Sequence, residues 1–307
     1  IEQATKQAGA DLIVSHPAVS DPTDAKGLPW VAPDQVSARF LPFGDLAQAV
    51  KADKPTVWFL DDLGQAPPSV QASFMQLLLA RRVNEHALPS CVTFVAATNR
   101  RTDKANVSGI LEPVKSRFGA IVELEPNIDD WCAWALTHGI QPQVIAFLRF
   151  RPELLHKFLP TADLTNSPVP RTWAHASRLL GMGLPQPIVR QAIAGAIGEG
   201  AAVEFFAFLK VYDDLPDLDE IINNPKGWGM IPKEPATLYA VATGLAIKAN
   251  LTTLSPIIVY AERLASKHGE FAALLLLDII RRDPSLMSTP AFVAVLRGSL
   301  GKLIHGA

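Results

Sequence analysis

Residues 56–67 read TVWFLDDLGQAP: five β-prone residues, two adjacent aspartates, then a turn. Neighbouring carboxylates repel one another and are comfortable only when solvated or beside something cationic. The stretch is therefore either an exposed strand end or a metal-and-water site at the mouth of a sheet. A helix start comes next, since Pro67-Pro68-Ser69 suits a first helical turn. The helix continues as SVQASFMQLLLARR, with Val70, Phe74, Leu77 and Leu78 on one face.

Outward from this core the same alternation recurs. Residues 1–8 read as the tail of a helix stopped by Gly9, and DLIVSH (11–16) as a short buried strand. Residues 45–52 read as a helix, CVTFVAATN (91–99) as another buried strand, and AIVELE (120–125) as a fourth. Strand alternating with helix predicts a parallel α/β sheet with both faces covered. Between the first two strands runs a long polar, proline-dotted stretch, residues 17–42. Its length predicts a functional loop or a small hairpin.

Beyond Asn127 helical periodicity takes over, as in DDWCAWALTHG, RTWAHASRLL and EFAALLLLDIIRR. The expected organisation is an α/β core over 1–127, followed by helices over 128–200 and a C-terminal helical region over 201–307. Within the last, residues 213–235 form an acidic, proline-punctuated connector.

Composition narrows the function classes. A chain of 307 residues with 49% hydrophobic and 19% charged residues can pack one large domain or two ordinary ones. Its net charge of −2 offers no argument for nucleic acid or an acidic membrane surface. The longest apolar run, Phe271 to Leu277, is too short to cross a bilayer. Cys91 and Cys132 lie in apolar stretches without metal-ligand spacing, so both read as small core residues in a reducing, cytoplasmic setting. No histidine falls in an HxxxH or HExxH pattern. Trp131 and Trp134, three apart, read as helix packing, and Arg81-Arg82 and Arg281-Arg282 as cations closing helix C-termini.

In an open parallel sheet, ligands bind beyond the carboxyl ends of the strands. Three of the expected strands end in polar groups: His16, Asp61-Asp62 and Thr98-Asn99. Nucleoside-triphosphate chemistry needs such a set. One carboxylate holds Mg²⁺ through its water shell, another acts on the attacking water, an amide positions that water, and arginines neutralise the developing charge. EPVKSRFG supplies Arg117 and SPVPRTW supplies Arg171 at a helix start.

The order of these pieces resembles the AAA+ ATPases, and most of all their MoxR-type group, over roughly residues 1–200. The resemblance implies a parallel-sheet P-loop NTPase core followed by an all-α lid. It matches Asp61 and Asp62 to the Walker B acids, with Asp61 on the metal and Asp62 on the lytic water. Asn99 matches sensor 1, Arg117 the arginine finger acting on a neighbouring protomer, and Arg171 sensor 2. Residues 17–42 are similar to the hairpin inserted near that group's second helix. Arg100-Arg101, just after the sensor, is a secondary candidate for touching a neighbouring subunit. The implied cofactors are ATP and Mg²⁺. The implied assembly is a homo-oligomeric ring, a hexamer being one such arrangement. The implied output is remodelling or maturation of a protein partner, in that group often one with a von Willebrand factor A domain.

Two departures bear on this. No Gly-x-x-x-x-Gly-Lys-[Ser/Thr] occurs in the sequence, so nothing here cradles the β- and γ-phosphates. The resemblance implies that the chain begins just after that loop and lacks the sheet's central strand. Asp62 stands where the family usually has glutamate. Its reach is shorter by roughly 1–1.5 Å, and misplacement of that size can cost about 100-fold in rate. Both departures favour a second reading, a nucleotide-insensitive scaffold whose C-terminal helices are the working surface.

Overall fold

Asp11–Ser15, Thr56–Leu60 and Val92–Ala96 lie side by side as a three-stranded parallel sheet, with Thr56–Leu60 in the centre. The computed structural model describes residues 1–100, 109–161, 163–215, 217–227 and 230–305. It divides into two compact units, Ile1–Glu123 and Leu124–Ala307.

In chain order the first unit runs α1 (Glu2–Gln7), β1 (Asp11–Ser15), α2 (Pro22–Lys26), β2 (Leu28–Val31), β3 (Ala38–Leu41), α3 (Gly44–Val50) and β4 (Thr56–Leu60). It continues with α4 (Pro68–Ala80), β5 (Arg82–Val83), β6 (His86–Ala87), β7 (Val92–Ala96) and α5 (Glu112–Lys115). Residues 17–42 hold a capped short helix and then the antiparallel hairpin β2–β3, whose strands are mostly exposed. Gly27 is required at its base: a Cβ there would lie 2.7 Å from the Leu41 carbonyl oxygen, and its φ is +88°.

The sheet is covered unequally. One face sends Ile13, Trp58, Leu60 and Val92 into a core with Leu46 of α3 and Val70, Phe74 and Leu77 of α4. Trp58 anchors it, stacked on Phe94 at 5.2 Å and edge-on to Phe74 at 6.3 Å. On the other face Leu12, Val14, Val57, Phe59 and Val95 are only half-buried and Thr93 is exposed. The expectation of two covered faces thus holds for one.

The fourth expected strand does not form. Residues 120–125 are in no strand, and Ile121, Val122 and Leu124 are exposed. Apolar, β-prone composition makes a segment able to pair, but a ladder needs a neighbour with a free edge alongside. Among the described residues β7 pairs only with β4, and Ala120–Glu123 joins no ladder.

The second unit is helical: α6 (Ile128–Thr137), α7 (Pro142–Phe150), α8 (Pro170–Gly181), α9 (Gln186–Ile197), α10 (Glu199–Asp213), α11 (Leu218–Asn223), α12 (Pro235–Lys248), α13 (Leu254–Ala265), α14 (Gly269–Arg282), α15 (Pro290–Arg297) and α16 (Ser299–His305). Trp173, Phe147 and Phe205 centre one apolar cluster; Leu275, Leu276, Tyr260 and Phe292 belong to a second. α12 contributes to both through Ala240 and Val241. Trp131 and Trp134 pack half-buried on the first cluster, as their spacing predicts. Cys132 is fully buried, whereas Cys91 is only half-buried, its thiol 3.5 Å from the Ala52 carbonyl. Among the described residues no helix is long and apolar enough to cross a membrane.

Candidate functional site

Parallel register aligns the strand ends. Ser15 is level with Leu60, and Leu60 with Ala96. His16, Asp61 and Ala97 therefore leave the sheet at one edge, its carboxyl end. Backbone bonds hold the corner from both sides. Asp61 N–H donates to the Ser15 carbonyl (2.9 Å), Ala97 N–H to the Leu60 carbonyl (3.0 Å) and Leu63 N–H to the Ala97 carbonyl (2.9 Å).

The charges sit on this corner. His16 Nδ1 lies 3.8 Å from Asp61 Oδ2, with both side chains partly open to solvent. Asp62 is in the left-handed region, φ 54° and ψ 36°, and starts a short 3₁₀ turn at Leu63–Gln65. That conformation gives a physical reason for aspartate here. Short polar side chains tolerate left-handed backbone better than longer ones, so aspartate suits this turn. Asn99 lies two residues beyond Ala97 and is exposed.

Arg117 Nε donates to the Met75 carbonyl of α4 at 3.1 Å, and its Nη1 bonds the Pro113 carbonyl. Its guanidinium is thus tied to backbone carbonyls of α4 and α5. Arg171 belongs to the second unit, exposed in the first turn of α8. Arg100 pairs with Glu123 at 2.6 Å; Arg101 lies outside the described residues. Arg81 caps α4 and donates to the Pro89 and Val92 carbonyls, which is more specific than a helix-dipole role.

Two supports of this corner escape sequence reasoning. Ser15 Oγ donates to Asp45 Oδ2 (2.5 Å) and accepts from Trp58 Nε1 (2.8 Å), so one residue orients β1, α3 and the central strand. Fully buried Gln71 donates to the Ala66 and Gly109 carbonyls, both at 3.0 Å, and accepts from Leu111 N–H at 2.9 Å. It clamps the segment after the acids to the segment leading into α5. The available signal was a polar residue in the buried register: Gln71 precedes Phe74 and Leu78 by three and seven positions on α4.

Chemically, the corner offers one half-exposed carboxylate, a second beside it and an imidazole. Among the described residues no three His, Cys, Asp or Glu side chains gather as a metal cage. The set suits a hydrated cation held by one or two carboxylates and completed by other ligands, the habit of Mg²⁺. A scan against family models matches no family, and a search of curated proteins finds no match.

Proposed function

We propose that this chain carries the metal- and water-handling side of an ATP site and works as a MoxR-like AAA+ ATPase. The observation that supports this most is the alignment of His16, Asp61-Asp62 and Ala97 through Asn99 at one edge of a parallel sheet. Asp61 would hold the water shell of Mg²⁺, Asp62 would accept a proton from the attacking water, and Asn99 would orient it. Bound Mg²⁺ would supply neutralisation of phosphate charge. The residues present suit that half of the site and not the phosphate cradle, for which the sequence has no loop. Arg117 on a neighbouring protomer, Arg171 as a lid contact, the ring and a von Willebrand factor A-type partner belong to the same proposal and rest on the resemblance alone.

A second reading, a scaffold that does not turn over nucleotide, is favoured by Arg117 being bonded to two backbone carbonyls. One experiment separates them. The protein is expressed from its gene with whatever residues precede Ile1, and ATP turnover is measured beside its Asp61→Asn, Asp62→Asn and Arg117→Ala variants. The ATPase reading expects turnover that falls by at least about 100-fold in Asp62→Asn and is lost in Arg117→Ala. No turnover leaves the scaffold, and turnover indifferent to both aspartates removes them from the site.

A further inference from the structure

A single residue, Gly198, separates α9 from α10, and the two helices fold back on one another there. Arg190 and Phe206, equally far from that turn along the chain, meet with the guanidinium 4.6 Å from the ring centre. Between the helices runs an open trough of about 380 Å³. Ala202 and Phe206 are buried in its floor, and Val203, 66% exposed, stands on its wall. Arg190 and Lys210 are exposed at the end away from the turn, and Glu199 is exposed beside the turn. Among the described residues no ion pair or side-chain hydrogen bond engages any of these three. The nucleotide reading makes no use of this trough.

We propose that the trough binds a single-chain amphiphile with one carboxylate, a medium-chain fatty acid in kind. Its head sits between Arg190 and Lys210, and its chain runs over Phe206, Ala202 and Val203 toward the turn.

Size, polarity and charge each point to that occupant. The volume falls within the ~300–1,000 Å³ of small-molecule pockets, which are apolar with a few placed polar groups. Stacking on Phe206 fixes the plane of the Arg190 guanidinium and leaves its N–H edges open, the fork that takes a carboxylate in two parallel bonds. Lys210, one turn beyond Phe206 on α10, adds a second cation at the same end. Two cations and one carboxylate sum to +1 along the trough, so a single negative charge neutralises it and a doubly charged phosphate monoester does not. Glu199 repels an anionic head from the turn, which fixes the direction of the chain. The rise from Glu199 to Lys210 is about 16 Å, which leaves room for that chain. An anionic membrane surface suits the trough less well, because it would set headgroups against Glu199 too.

Calorimetric titration of the full chain with decanoate tests it. One site should appear with Kd near about 1 mM or tighter, while acetate and decylammonium should bind at least about ten-fold more weakly. Backbone amide shifts in the NMR spectrum should centre on Val203, Ala207 and Lys210. The exposed substitutions R190Q and K210Q should each weaken decanoate about five-fold or more. V203E, which sets a carboxylate against the chain, should weaken it about ten-fold or more. Circular dichroism verifies the fold of each variant. Absent decanoate binding, equal binding of decylammonium or acetate, indifference to R190Q and K210Q, or shifts centred outside the trough would overturn the inference. So would co-sedimentation with phosphatidylserine vesicles that R190Q and K210Q abolish while decanoate binding stays unchanged, which would assign the two cations to a membrane surface.

Discussion

Arg149 and Asp278, 129 residues apart, meet as a bidentate ion pair with essentially no solvent exposure. Arg149 Nη2 donates to Asp278 Oδ1 at 2.7 Å, and its Nη1 bonds both Asp278 Oδ2 and Thr243 Oγ1. Three helices, α7, α12 and α14, are thereby fixed at one point inside the second unit. Removing one partner strands a buried charge, which costs about 3–5 kcal/mol. Asp278→Asn and Arg149→Met should each lose that much in urea unfolding. The apolar double variant Arg149→Met/Asp278→Leu should recover most of it. Equal losses in single and double variants would show that packing, not pairing, is what the site contributes.

Burial pushes the Cys132 thiol up to about 11, against ~8.5 for an unfolded cysteine. A raised folded value means the unfolded chain gives up its proton first as pH rises. The stabilisation is whole below about pH 8.5 and is lost progressively toward pH 11, amounting to about 2 kcal/mol by pH 10. Urea unfolding across pH 8–10 should show this decline, and Cys132→Ala should flatten it. An unchanged slope in that variant would assign the decline to other groups.

Asp62 holds a left-handed backbone at φ 54°. Ordinary side chains lose about 1–2 kcal/mol there, while asparagine and aspartate lose less. Asp62→Val should therefore cost about 1–2 kcal/mol, and Asp62→Asn under about 0.5 kcal/mol. Measured stabilities in the opposite order would mean the turn relaxes out of this conformation.

The bonds from Thr56 N–H to the Cys91 carbonyl and from Ala97 N–H to the Leu60 carbonyl set the phase of β7. Its odd-numbered positions face β4, so Phe94 and Ala96 direct their N–H groups to the edge that no described strand covers. Amide hydrogen exchange followed by NMR should find these two exchanging much faster than Val95, Val57 or Phe59. Slow exchange at Phe94 and Ala96 would reveal a partner on that edge.

The main strands were legible because each is a short apolar run closed by a turn or a polar pair. β1, β4 and β7 fall within the expected segments, and α4 begins at Pro68 as its proline start predicts. The gathering of His16 and Asp61 at one edge results from parallel pairing of equal-length strands. Residues 120–125 have the same composition and form no strand, because pairing is a property of two segments and only one was visible in the composition.

By itself the sequence determined an α/β segment followed by helices, since hydrophobic period and breakers act over a few residues. It also determined that two acids close the strand at Thr56–Leu60, while its central place in the sheet came from the pairing. Only the tertiary structure decided which groups those acids meet, that Asp62 bends left-handed, that Ser15 joins Asp45 to Trp58, and that Arg149 finds Asp278. Those outcomes depend on register and packing between segments far apart in the chain, where hydrogen-bond geometry and desolvation select one partner among many and local propensity has no influence.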